Sequence, residues 1–492
     1  MKRMRTLSGE STLPPSGPPV TAPDVRPDDV PTADLAPPPL LRRIPVWVWI
    51  AAVIAALMHM APYWRAAMET PDGWTFVANL SVSPDYMQYR VWMRQTQLEG
   101  PVVRNVFTTE PNGAHLPVFV YWSIGAAAEL TGMSPEWVYA YLGALVAVAF
   151  TVLLWLTILR FLGGGRAAAW AFAVIMVGGG LGGYIMLMET WDWSRGNYLI
   201  RSLLLSPFMG SEGAVLFENF RGNYVIQALF DTHFLLFWLV TTGAVLALHS
   251  TLQRFTPRRL AGTAAFFAFG TFLHVYEGLT LLAIATAVVV LCVARQVIDR
   301  RHAIITLLTC GAAVFLAMLP LLVLLKRSGL PAPSWRGENL LFSVVVLAYP
   351  LALGLIVYGF GRYWREADFN GTFLTGWALG GLVLLLSGPF FPYPDRGTMT
   401  LQIPLYLIAA SIWFTRHRRV GWVGALAVIA LLGSTPYWVV TRLQARTAFD
   451  AAESHKWLTA DHVGVVELLR ARAARTDVLV ADQTNLRWLA PD

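Results

Sequence analysis

The sequence predicts an all-α polytopic membrane protein, on three observations. Hydrophobic residues make up 56% of the 492-residue chain and charged residues 14%, against roughly 45–50% and about 25% in soluble domains. Apolar runs of bilayer length, about 20 residues each, recur along it. Short arginine-rich connections alternate with longer, mixed-charge ones, as the positive-inside rule requires. The net charge of +7 is therefore a topology signal, and no nucleic-acid partner is expected. Cys292 and Cys310 lie inside apolar runs and read as buried small hydrophobes rather than a disulfide pair.

Residues 1–43 carry ten prolines in the first 40 positions. Such a segment buries too little apolar surface to offset its ordering entropy. It reads as a disordered, cytoplasmic tail. The membrane part is 44–440. Its runs fall at 44–62, 137–161, 167–188, 225–249, 260–274, 278–294, 303–325, 340–361, 370–388, 398–415 and 420–440, about 11 spans of helix. The fifth and sixth are short and meet at the polar break His274–Gly278, as in a hairpin that turns within the outer leaflet. Arg160/Arg166, Arg254/Arg258/Arg259, Arg295/Arg300/Arg301, Arg362/Arg365 and Arg416/Arg418/Arg419 all fall on one side. With that side cytoplasmic, the N-terminus is inside and the C-terminus outside a cytoplasmic (inner) membrane.

The first outside loop, 63–136, is the longest. In SPDYMQYRVWMRQTQLEG (83–100), Ser83 is a helix cap, Pro84 the first helical residue and Asp85 a first-turn acid. Apolar and polar residues then alternate as in a helix lying on the membrane surface. Residues 116–130 give a second interfacial helix. Residues 441–492 form an outside tail with a helix at 461–474 and a strand at 477–482, a small α/β extension too slight to fold alone.

Polar residues within apolar segments are costly, and they usually line a polar cavity. Two groups qualify: His274 and Glu277 in HVYEG, and Asp231 and His233 in ALFDTHF; a further group, Asp395 and Arg396 in PYPDRG, stands just before the tenth run, with Arg396 at the outer end where a lipid phosphate would lie. Arg221, with Glu218, lies in the loop just before Asp231. Asp231 and His233 are two residues apart and do not share a helix face, so one faces the cavity while the other pairs elsewhere. Each group has a plainer reading: a helix-dipole aspartate at 85, polar pairs satisfied by neighbouring helices, and a snorkelling arginine at 396. The glycine runs at 163–165 and 178–183 are not phosphate loops, because no strand precedes them and no GK[ST] follows.

A long first outside loop with two interfacial helices, and Asp85 soon after the first span, resembles the GT-C class of integral membrane glycosyltransferases. The stretch LEGPVVRNVFTTEP…LPVFVYWSIGAAAELTGMSPEWVY (98–139) is similar to bacterial GT-C-like proteins, and the likeness of layout covers most of 44–440. It implies transfer of a sugar from a polyprenyl-phosphate carrier to a glycan, lipid or protein acceptor at the outer membrane face. It implies Asp85 as base, Arg396 as ligand of the lipid phosphate, and Arg221, Asp231, His233, His274, Glu277 and Tyr86 as substrate-binding residues. Asp85 stands alone, without a DD, DxD or ExD motif, which leaves the use of a divalent cation open. A transporter or lipid flippase, and a non-catalytic scaffold for envelope assembly, are the competing readings.

Overall fold

A computed structural model describes residues 44–80, 84–103, 116–178, 225, 228–328, 349–387, 395–416, 439–440 and 457–472. Helix α1 (Val46–Met68) begins after the extended Pro45. Strand β1 (Trp74–Phe76), helix α2 (Pro84–Glu99), strands β2 (Val102–Val103) and β3 (Leu116–Pro117), and helix α3 (Phe119–Thr131) make up the first loop. Helix α4 (Pro135–Leu162) follows, with Ser134 Oγ accepting the Trp137 N–H as its cap, and then α5 (Arg166–Val177). Next come α6 (Thr232–Gln253), α7 (Pro257–Leu273), α8 (Val275–Ala294), α9 (Arg300–Ser328), α10 (Pro350–Glu366), α11 (Phe369–Leu386) and α12 (Asp395–Arg416). Strand β4 (Trp457–Thr459) and helix α13 (Ala460–Arg472) close the described chain.

Helices α1, α4, α6, α8 and α11, and α9 up to Pro320, are long and apolar enough to cross a membrane. Apolar stretches in α5 and α12 are shorter. The eleven expected spans therefore compress, among the described residues, to six that meet both criteria. Most of 420–440, and 179–188 of the third run, lie outside the described residues. Residues 340–348 of the eighth run lie outside the described residues; its described part is helical from Pro350, where proline suits the first helical turn.

One buried core joins α1, α4, α5, α6, α8, α11 and α12. Its tightest seam is α8 against α11. A Cβ on Gly376 would stand 2.6 Å from Val288 Cα, and one on Gly380 2.7 Å from Ile284 Cα. Small residues let these backbones touch, the usual device where lipid offers no hydrophobic drive for association. Val46, Val53, Leu145, Leu308 and Val357 are exposed, as expected of surfaces turned to lipid. Cys292 and Cys310 are free and buried.

The expected hairpin is present. Helices α7 and α8 pack side by side and are joined by His274 alone, in an extended conformation (φ −164°, ψ 133°). The described part of the C-terminal tail packs on the first loop and helix α1. Its strand β4 pairs antiparallel with β1, Trp74 opposite Thr459. Trp457 is wholly buried against Met60, Tyr63, Phe76 and Ala140, and its Nε1 donates to Thr70 Oγ1 at 3.1 Å. The expected helix forms as α13. The expected strand at 477–482 lies outside the described residues, as does the tail 1–43.

Candidate functional site

Among the described residues, Arg160 meets His249 and Arg295 meets the Ala367 carbonyl at one end of the helices, while His233, His274 and Glu277 come together at the other. Helix α6 enters this second end at Asp231, which is its N-cap. The Asp231 Oδ1 accepts the His233 N–H at 2.9 Å. This corrects the expected start of the fourth run at 225, which would have put Asp231 and His233 inside the span rather than at the head of its helix. The carboxylate satisfies an orphan helix N–H, so the helix starts at Thr232 and His233 lies in its first turn. As expected, the two side chains diverge: Asp231 caps, and His233 turns toward α8.

Several contacts fix the start of α6. Thr232 Oγ1 donates to the Tyr139 carbonyl of α4 at 3.1 Å. His59 of α1 holds the Leu229 carbonyl through Nδ1 at 2.7 Å and lies 3.4 Å from Thr232 Oγ1 through Nε2. Gly143 of α4 makes room for this knot, since a Cβ there would collide with both His59 and Thr232.

His233 Nε2 lies 3.5 Å from Glu277 Oε1. Glu277 is in the first turn of α8, where the helix dipole favours an anion. Its residue is 2% exposed and that of His233 6%. Among the described residues, neither Glu277 oxygen, nor His233 Nε2, has a hydrogen-bond partner. Gly278 sets the approach of α7 here: a Cβ would strike Thr271 Oγ1.

Four aromatic rings back the pair. Tyr89 of α2 stacks on His233, with ring centroids 5.2 Å and planes 26° apart, and Tyr121 of α3 stacks on Tyr89 at 5.0 Å and 20°. His274 meets His233 edge-on at 5.8 Å, and Tyr276 lies against His274 at 4.9 Å. Burial first, then the charges of Tyr89, Glu277 and Asp231, push the Tyr121 phenol well above its usual range. It therefore remains a protonated donor at neutral pH.

Helix α2 is pinned over this group. Glu136, 2% exposed, takes the Arg90 Nε at 3.1 Å and the Arg94 Nη2 at 3.7 Å. The arginines are one turn apart on α2. Gly125 of α3 lets α2 close in; a Cβ there would lie 2.9 Å from the Met93 carbonyl oxygen. Asp85 is in the first turn of α2, one turn before Tyr89 and so on the same helical face by register. Tyr86 is its neighbour. Arg396 is the second residue of α12. For these three the described structure gives the backbone position. Arg221 lies outside the described residues.

Of the sequence candidates, then, His233, His274, Glu277 and the cap Asp231 come together. Tyr89, Tyr121 and the Arg90–Glu136 pair were not among the candidates. Tyr89 had one legible signal, its i+4 spacing from Asp85. Among the described residues no group of three or more His, Cys, Asp or Glu side chains is placed to hold a metal ion.

No protein-family model matches the sequence, and a search of curated proteins gives no match. The fold, in contrast, is similar to solved structures. The oligosaccharyltransferase of Archaeoglobus fulgidus in its apo form matches with a TM-score of 0.52 at 13% identity, over 88% of this chain and 58% of that one. The archaeal oligosaccharyltransferase AglB from the same organism, in complex with an inhibitory peptide and a dolichol-phosphate, matches at 0.51 and 13%, over 87% and 58%. The chain thus spans less than two thirds of the proteins it resembles, and the likeness is one of fold alone.

Proposed function

We propose that this protein transfers a sugar from a polyprenyl-phosphate-linked donor to an acceptor at the outer face of the cytoplasmic membrane. One observation carries the reading: a buried carboxylate and imidazole, Glu277 and His233, with polar atoms left open, beneath a loop helix that bears Asp85. The similarity of fold to an oligosaccharyltransferase solved with dolichol-phosphate supports it. So does the position of this end of the helices opposite the arginine-rich connections, which the positive-inside rule assigns to the cytoplasm.

The chemistry assigns the roles. The acceptor's oxygen or nitrogen attacks the anomeric carbon, the bond from that carbon to the phosphate oxygen breaks, and polyprenyl phosphate leaves with the bonding pair. Asp85 takes the acceptor's proton. Arg396, at the start of α12, binds the leaving phosphate, whose charge grows in the transition state. His274, Asp231, Tyr86 and Arg221 belong to the substrate-binding wall. A single carboxylate at 85 suffices as base.

The test is transfer in proteoliposomes from a polyprenyl-phosphate-linked sugar to membrane or peptide acceptors. Wild-type protein transfers. Asp85→Asn loses transfer by about 100-fold or more, within the range for removing general acid–base catalysis, at unchanged membrane level. Full transfer by Asp85→Asn removes the base assignment. Lipid or solute translocation without any sugar transfer favours a transporter instead.

A further inference from the structure

Glu277 and His233 present an unusual hydrogen-bonding demand. An ionised carboxylate only accepts, with room for about four donors, yet in the described structure neither Glu277 oxygen has one. An imidazole can donate from one nitrogen and accept at the other, and His233 Nε2 also has no partner. The 3.5 Å between them is too long for a good direct hydrogen bond. Leaving both groups so is expensive in a buried place. What completes the pair must carry hydrogen-bond donors toward Glu277 and suit the imidazole at the same time.

Among the described residues that requirement disfavours a phosphate. Glu277 repels an anion, the Asp231 carboxylate caps the same helix start that carries His233, and Arg90 and Arg94 are engaged with Glu136. It also disfavours an ammonium group, which donates only and would sit against an imidazole that is itself able to carry positive charge. A hydroxyl group donates and accepts. Two adjacent hydroxyls can serve both carboxylate oxygens while one of them also meets His233 Nε2. Tyr89 closes the ring face of His233, so only the polar edge is offered to a ligand. The supports are rigid: the Asp231 cap on α6 and the Gly278–Thr271 contact between α7 and α8 fix both side chains at helix starts.

We propose that the Glu277–His233 pair is the subsite for the donor's sugar ring, and that it recognises adjacent hydroxyl groups rather than the lipid phosphate or the acceptor. The inference rests on the sugar-transfer reading above. It separates two parts of the donor, with the polyol on Glu277 and His233 and the phosphate elsewhere.

Binding to the purified full-length protein in nanodiscs tests it, with two kinds of probe: polyprenyl phosphate alone, and the same lipid carrying a glucosyl, galactosyl, mannosyl or pentosyl headgroup. Wild-type protein should bind at least one sugar-bearing lipid more tightly than the bare phosphate. Glu277→Gln should weaken that binding by about 10- to 100-fold, the loss expected for hydrogen bonds to a charged group. It should leave affinity for bare polyprenyl phosphate within about two-fold, which also shows that the variant is folded. His233→Phe, which keeps a ring on Tyr89, should act in the same direction. Equal affinity of Glu277→Gln and wild type for the sugar-bearing lipid overturns the subsite and leaves the sugar-transfer reading standing. Loss of bare phosphate binding to the same extent as sugar-lipid binding also overturns it, since the pair would then serve the whole lipid. Failure of wild type to bind either lipid removes the sugar-transfer reading, and the subsite with it.

Discussion

Helix α6 carries a buried histidine near each end, and the two have opposite surroundings. His249, about 24 Å along the helix from His233 at 1.5 Å per residue, has both ring nitrogens in use. Its Nδ1 accepts from Arg160 Nε at 3.2 Å, and its Nε2 donates to Asn370 Oδ1 at 2.8 Å. An arginine can only donate, so these bonds fix the tautomer. Phe161, Phe369 and Phe373 enclose the ring, with centroids 4.8–5.0 Å away. His249 is thus a pin between α4, α6 and α11. His233 is also buried and faces a carboxylate, and among the described residues it keeps an open nitrogen. The same side chain on the same helix is satisfied at the arginine-rich end and left open at the other. Buried polar groups in native proteins are paired unless something else, such as a ligand, completes them, so the open one marks the place to look for function.

The sharpest way to strain this contrast is to loosen the frame of the open end. Glu136→Ala leaves Arg90 buried without its counter-charge, and stability should fall by about 3–5 kcal/mol. Thermal unfolding in detergent reads this, and an unchanged midpoint would contradict the view that the ion pair holds α2. Next in size, Glu277→Gln should lower kcat/KM for sugar transfer by about 100-fold, at the upper end for hydrogen bonds to charge. Its unfolding midpoint should not drop, because no described partner loses a hydrogen bond. His249→Ala should do the reverse. Stability should fall by about 1–3 kcal/mol as Asn370 and Arg160 lose their partner, while the folded fraction transfers at close to the wild-type rate. If both histidine-end variants change activity alone, the division of labour along α6 is wrong. The smallest effect belongs to Ala78, buried and with φ of +53° just after β1. Ala78→Gly relieves a left-handed backbone and should raise stability by about 0.5–1 kcal/mol. A loss of stability there would mean that its methyl packing outweighs the strain.

What the sequence revealed and what it hid follow from range. Apolar runs are local, so the six long helices were legible, as was the reversal at HVYEG, where charge interrupts two short runs. Caps blur at the scale of a bilayer-length window, so the start of α6 was set seven residues early, and the role of Asp231 emerged only with the helix end. The Tyr89–Tyr121–His233 stack joins three elements distant in sequence, and no local pattern announces it. The Arg90–Glu136 pair likewise looked like ordinary surface charge on two separate helices. The β1–β4 pairing unites two three-residue strands, each too short to register as a strand. It was Trp457, buried against Phe76, that tied the tail to the first loop.

The most direct measurement is a structure of the protein with polyprenyl phosphate bound. Our account predicts the phosphate at the end of the bundle that holds His233 and Glu277, within hydrogen-bond reach of the Arg396 guanidinium, about 3 Å, with the prenyl chain running into the membrane and Asp85 facing the same cavity. A phosphate bound instead at the arginine-rich end, beside His249 and Asn370, would contradict it.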